Sequence, residues 1–206
     1  MTIKAVIFDI GGVVLFEPAN EAREILCKKF NIDPVKFKEY AKKSIGMSHI
    51  GKLSGEDFFG GLVEEFNLKT NAEELMNEWI FARNKTCSWN SPILELIERI
   101  RGRYLLVSFT NSTFLNDLVE TRKRVYTLFD LNLVSQERGL RKPDLQFYEL
   151  LVAELKSRKI EPNEALLIDD RDENLKPAEM LGIRTLLFDD KVNIEEKIKE
   201  FEVNIQ

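Results

Sequence analysis

Five short, densely apolar runs stand out along the chain: residues 3–14, 104–109, 131–134, 165–168 and 183–188. The first is rich in β-branched residues and reads as a strand buried on both faces, ending on Asp9 ahead of a turn at Gly11-Gly12, and the other four read as strands as well. The spacing between the first two is helical. Ala22, Ile25, Leu26 and Phe30 recur at helical intervals, and Pro34 opens a second helix at a position where its missing N–H is not needed. Residues 44–53 break the pattern with Gly46, Gly51 and the only histidine, His49. Ser54-Gly-Glu-Asp opens a third helix through Phe58, Phe59, Leu62, Val63 and Phe66, and residues 71–83 form a fourth. Four successive helices between two strands predict an inserted unit with a small core of its own, bounded near residues 17 and 90. Trp79, Trp89 and the phenylalanines of this stretch are expected in that core.

Beyond residue 90, strand and helix alternate. Helices are expected at 92–101, through Leu115 and Leu118, at 143–155 with Pro143 in its first turn, at 175–181 closing on Gly182, and at 194–201. Such alternation implies a parallel, doubly wound sheet with right-handed crossovers. The expected fold class is therefore α/β: a Rossmann-like sheet from residues 1–17 and 90–206, with a four-helix insertion at 18–89.

The bulk numbers narrow the functional classes. A chain of 206 residues is long enough for one sizeable core, or for a core with a small appended domain. Net charge is -5 and the pI is near 5.2, which argues against a broad nucleic-acid surface. Cys27 and Cys87 make no disulfide framework, and reduced thiols are expected. No secretory pattern and no run long enough to span a bilayer is present. A cytoplasmic location without a membrane partner is the expectation, and the pattern leaves oligomeric state open.

Three predicted strands end in chemically useful residues: Asp9, Thr110-Asn111 and Asp169-Asp170. The strand at 131–134 leads to Lys142 at the mouth of a helix. In a parallel sheet these ends share one edge, so residues far apart in sequence converge. A carboxylate can attack phosphorus as a nucleophile. A second can hold a hard divalent cation, and magnesium accepts such ligands together with phosphate oxygens and water. A lysine and a hydroxyl can stabilise charge on phosphoryl oxygens. Each residue also has a structural reading: Asp9 as a turn or helix cap, one of Asp169 and Asp170 as a cap of the next helix, and Lys142 as a solvated loop residue.

These residues carry a resemblance. FDIGGVV, FTNS, GLRKPD and LLIDDRDENLKPAEMLGI, in that order, resemble the four motifs of the haloacid dehalogenase superfamily, in the branch with a helical cap after the first strand. The last stretch is similar to the N-terminal phosphatase domain of soluble epoxide hydrolases and to bacterial sugar-phosphate phosphatases. The resemblance implies Asp9 as nucleophile and Thr110, Asn111 and Lys142 as phosphate-binding residues. It further implies Mg2+ held by Asp9, the Gly11 carbonyl and Asp170, with a small phosphorylated metabolite as substrate and no nucleic acid.

One position departs from the family pattern. Its first motif is usually Asp-x-Asp, the second Asp serving as general acid and base; here that residue is Gly11. A glycine offers a carbonyl but no proton, and general acid–base catalysis is typically worth about 10² to 10⁴ in rate. Substrates with good leaving groups are therefore expected. Two other readings stay open: a non-catalytic relative that binds a phosphorylated ligand or a protein, and a metal-independent dehalogenase. Of the lesser candidates, Thr110 is favoured over Ser108 as the phosphate-binding hydroxyl. Asn174 is expected beside the metal or on a helix surface, and Phe16 and Glu17 near the entrance. His49 is expected as a surface loop residue rather than a substrate contact.

Overall fold

The computed structural model describes residues 2–119 and 124–204. Its centre is a five-stranded parallel sheet of β1 (Ala5–Phe8), β4 (Leu105–Thr110), β5 (Leu131–Val134), β6 (Ala165–Asp169) and β7 (Arg184–Leu187), in the order β5-β4-β1-β6-β7. The register sets Phe8 beside Ser108 on one side and Ile168 on the other. The chain winds outward from β1 to β5, then returns to β6 on the opposite side. This reversal leaves a crevice at the carboxyl ends of the strands around β1.

Continuous apolar runs make sense because both faces of the sheet are covered. Val6, Phe8, Leu106, Leu166 and Ile168 face one core, filled by Ile93, Leu96, Ile97 and Ile100 of helix α5 (Ser91–Ile100). Their i, i+3, i+4, i+7 spacing is the apolar stripe of an amphipathic helix. Ala5, Ile7, Val107, Phe109 and Leu167 face the other core, where Phe147, Tyr148, Leu151 and Leu155 pack from a helix at Leu145–Ser157.

Between β1 and α5 lie α1 (Ala19–Phe30), α2 (Pro34–His49), α3 (Gly55–Glu65) and α4 (Ala72–Thr86). Asp33, Ser54 and Asn71 cap α2, α3 and α4 by accepting backbone N–H bonds. Leu26, Phe37, Phe59, Leu62 and Leu75 form the buried centre of this unit, and Phe37 stacks on Trp79. Leu115 joins that centre from the short helix α6 (Phe114–Asp117) that follows β4. A Cβ on Gly55 would lie 2.5 Å from Leu115 Cδ2, so the helical unit and the sheet share this contact.

The structure corrects several expectations. β1 ends at Phe8, just before Asp9; Ile10, Val13 and Val14 are buried in the turn that follows, and β2 (Leu15–Phe16) is a strand that the pattern did not predict. β2 pairs antiparallel with β3 (Ser88–Trp89), so the two segments joining sheet and helical unit form a ribbon. Asn90 fastens it by donating from Nδ2 to the Val13 carbonyl at 2.8 Å. Trp89 consequently packs on the sheet-side core with Cys87, not within the helical unit. α2 continues to His49, so the break expected over residues 44–53 begins only at Ile50. Gly46, within α2, is instead a point of close approach, where a Cβ would lie 3.1 Å from Arg141 Nη1; Gly51 lies in the break itself, with φ +70°, and a Cβ there would lie 2.7 Å from the Gln136 carbonyl oxygen. Pro143 precedes its helix, which Asp144 starts. Among the described residues, no helix is long and apolar enough to cross a membrane.

Candidate active site

The strand ends meet as the topology requires. Asp9 follows β1, Thr110 ends β4 and Asp169 ends β6; Lys142 comes from the loop after α7 (Ser135–Arg138), which follows β5. Lys142 is only 3% exposed. Its Nζ lies 2.6 Å from Asp169 Oδ2 and 3.0 Å from Asp9 Oδ1. Burial works against the ammonium, but the charges and hydrogen bonds of Asp9 and Asp169 more than reverse this and hold its pKa above the ordinary lysine value. Lys142 thus stays a cation that orients the Asp9 carboxylate.

Asp169 and Asp170 are adjacent but unlike. Asp169 is fully buried and committed to the protein. Besides Lys142, it accepts from Asn174 Nδ2 at 2.9 and 3.2 Å and from the Arg171 backbone N–H at 2.9 Å. Asn174 lies in the first turn of α9 (Asp172–Met180), whose position is fixed by Tyr148: its hydroxyl donates to the Asn174 carbonyl at 2.6 Å. Asp170 instead opens onto the cavity. Burial, then the charges of Asp9 and Asp169, push its carboxyl up to about 6. One oxygen from each of the three aspartates falls within 4.8 Å of the others. Three carboxylates against one ammonium leave an excess of negative charge, and their hard oxygens suit a divalent cation. With Asp169 taken up by protein donors, Asp9 and Asp170 are the carboxylates best able to hold one.

Gly12 permits this proximity. Its φ is +87°, in the left-handed region, and a Cβ there would lie 2.4 Å from Asp170 Oδ2. The strand-end residues form one end of a cavity of about 470 Å³, within the roughly 300–1,000 Å³ usual for small-molecule sites. The helical unit supplies much of the remaining wall, including Phe37, Phe58, Trp79, His49 and Arg83.

A model of the haloacid dehalogenase-like hydrolases matches residues 3–182. The chain belongs to that family. Among its relatives, bifunctional epoxide hydrolase 2 of Sus scrofa is 30% identical over 107 residues, 49% of this chain but only 19% of that protein. The chain therefore spans about a fifth of that relative's length. A sesquiterpene phosphatase of Aspergillus oryzae is 24% identical over 194 residues, 88% of each chain. Among solved structures, a HAD family enzyme from Bacteroides thetaiotaomicron, in complex with magnesium and inorganic phosphate, shares the fold. Its TM-score is 0.75 at 20% identity, over 95% of this chain and 98% of that one.

In this haloacid dehalogenase-like hydrolase, Asp9, Gly11, Thr110, Asn111, Lys142 and Asp170 all line the one cavity. Ser108 lies within β4, its hydroxyl bonded to Asn132 Oδ1 at 2.6 Å. Asn174 is buried against Asp169, not on a helix surface. His49 ends α2 and lines the cavity, which corrects its placement in a surface loop. Glu17 lines the cavity too, whereas Phe16 is exposed on the ribbon. Sequence reasoning missed Arg23 and Arg83, which also line it. Arg83 sits in the last turn of α4, where a basic residue is ordinary, and only the packing reveals that it is buried.

Proposed function

We propose that this hydrolase is a magnesium-dependent phosphatase acting on the phosphate monoester of a small metabolite through a phosphorylated Asp9. The observation that carries the reading is the convergence of Asp9, Thr110, Lys142 and Asp170 on one cavity, with Lys142 Nζ 3.0 Å from Asp9 Oδ1. Asp9 attacks phosphorus: a bond forms from its carboxylate oxygen as the ester bond to the leaving oxygen breaks. Water then cleaves the acyl phosphate, releasing phosphate and regenerating Asp9. Lys142 and the Thr110 hydroxyl hold the phosphoryl oxygens as charge builds on them. Magnesium, held by Asp9, Asp170 and the Gly11 carbonyl, would neutralise the carboxylates and the phosphate charge. The match to a sesquiterpene phosphatase over 88% of each chain, and the fold shared with an enzyme holding magnesium and phosphate, support the same reading.

Gly11 carries no proton to give the leaving group, so acyl phosphates, aryl phosphates and sugar 1-phosphates are the favoured substrates. Residues 18–89 act as the cap: they exclude water and select the organic part of the substrate. A steady-state screen of phosphate monoesters graded by leaving-group pKa, with magnesium and with chelator, tests this. The reading requires magnesium-dependent turnover that rises steeply as leaving-group pKa falls. Fast turnover of simple alkyl phosphates would overturn the role given to Gly11. Chelator-resistant release of halide from a haloacid would point to dehalogenation. Ligand binding without any turnover would mark a non-catalytic relative.

A further inference from the structure

We infer that Arg83 and Arg23 form a second anion subsite in the wall of the cavity, which takes a carboxylate or second phosphate on the same organic phosphate. The inference deepens the phosphatase reading and rests on it for the first phosphate. Arg83 is 3% exposed, yet among the described residues its Nε and Nη1 have no hydrogen-bond partner. The Nε of Arg23 is likewise buried without one. Both side chains line the cavity that holds Asp9 and Lys142. A buried donor left unsatisfied costs about 1–3 kcal/mol, more when charged, so an arrangement with three of them is completed by an acceptor from outside the fold. A guanidinium is suited to oxyanions in particular.

Charge sets the class of anion. Arg83 Nη2 lies 3.0 Å from Glu17 Oε1, and both side chains are nearly buried. Glu17 offsets one of the two guanidinium charges, leaving one unit of positive charge, which a carboxylate matches. Phe37, Ile45, Phe58 and Trp79 add apolar wall to the same cavity and suit the carbon skeleton that carries the two anions. The favoured substrate is thus a phosphate monoester with an apolar body and a distal acid group.

The test is calorimetric titration of the full chain carrying Asp9→Asn, with magnesium. The probes are matched-length series of n-alkyl phosphates, ω-phosphoryloxy carboxylates and alkanediol bisphosphates. At the best-fitting length the carboxylate ester should bind at least about tenfold more tightly than the alkyl ester, or about 1.4 kcal/mol. Adding Arg83→Met should bring that ratio close to one. Adding Glu17→Gln should move the preference toward the bisphosphate, which separates the two sources of the anion. Should Arg83→Met fail to fold, Arg23→Met, at a half-buried position, reads the same ratio. Equal affinity for charged and uncharged tails at every length would overturn the inference, as would a preference that survives loss of the arginine. Magnesium-dependent turnover of an aryl phosphate by the unsubstituted protein is scored separately, so failure of the phosphatase reading remains distinguishable from failure of the subsite.

Discussion

Asn111 and Lys142 clasp each other across two loops. Asn111 Nδ2 donates to the Lys142 carbonyl at 2.9 Å, and the Lys142 backbone N–H donates to Asn111 Oδ1 at 2.8 Å. The residue after Thr110 thereby fixes the loop that carries the lysine. Asn111 is thus a positioning residue as well as a wall of the cavity. Asn111→Ala should lower kcat/KM by about 10² while Lys142 remains present, because small displacements of a catalytic group are costly. Steady-state kinetics check this; an unchanged kcat/KM would mean that the loop holds its shape unaided.

Lys142 also holds the fold. It sits between Asp9 and Asp169, both buried, and Lys142→Met would leave their charges facing each other. Removing one partner of a buried ionic cluster typically costs about 3–5 kcal/mol. Chemical denaturation at neutral pH should show a loss of that order. Asp169→Asn in the same background should recover part of it, since it removes one of the stranded charges.

Much of this arrangement was legible in the sequence, for a definable reason. Strands covered on both faces must be apolar, so a polar or charged residue at the end of such a run signals the crevice; Asp9, Thr110 and the pair Asp169-Asp170 stand out that way, and the resemblance singles out Asp170 within the pair. The roles of Asn111 and Asn174 as hydrogen-bonding supports were not legible, because their partners lie 31 and 5 residues away and only the fold joins them. The β2–β3 ribbon was missed because two-residue strands carry no periodicity. Gly46 was read as a helix break, although it marks where α2 passes close to Arg141. Arg83 enters the sequence pattern only as the end of the fourth expected helix, and its burial depends on a cavity formed by distant segments.

Gly12→Ala should be harmful through two separate effects. Its φ of +87° disfavours any side chain, and the new methyl would meet the Asp170 carboxylate. Magnesium affinity, measured by calorimetry, should fall more than global stability does. A variant that binds magnesium normally would show that Asp170 can shift without consequence.

Asp170 predicts how pH and magnesium act together. Its carboxyl is pushed up to about 6 by burial and by Asp9 and Asp169, above the unfolded value of about 3.9. A raised carboxyl pKa favours the protonated folded state. Its contribution is therefore full below about pH 4 and is lost as pH rises through about 6. Magnesium replaces that proton, so it should raise Tm more at pH 8 than at pH 5. Asp170→Asn should remove most of this difference. An equal magnesium effect at both pH values would place the cation elsewhere.

The most direct test of the account is to trap the intermediate. The protein is acid-quenched during turnover of an aryl phosphate with magnesium, digested, and the peptide bearing Asp9 is weighed. The account predicts a peptide heavier by one phosphoryl group, with the label on Asp9 and none in Asp9→Asn. Turnover that proceeds with Asp9 never modified, or that survives Asp9→Asn, would contradict it.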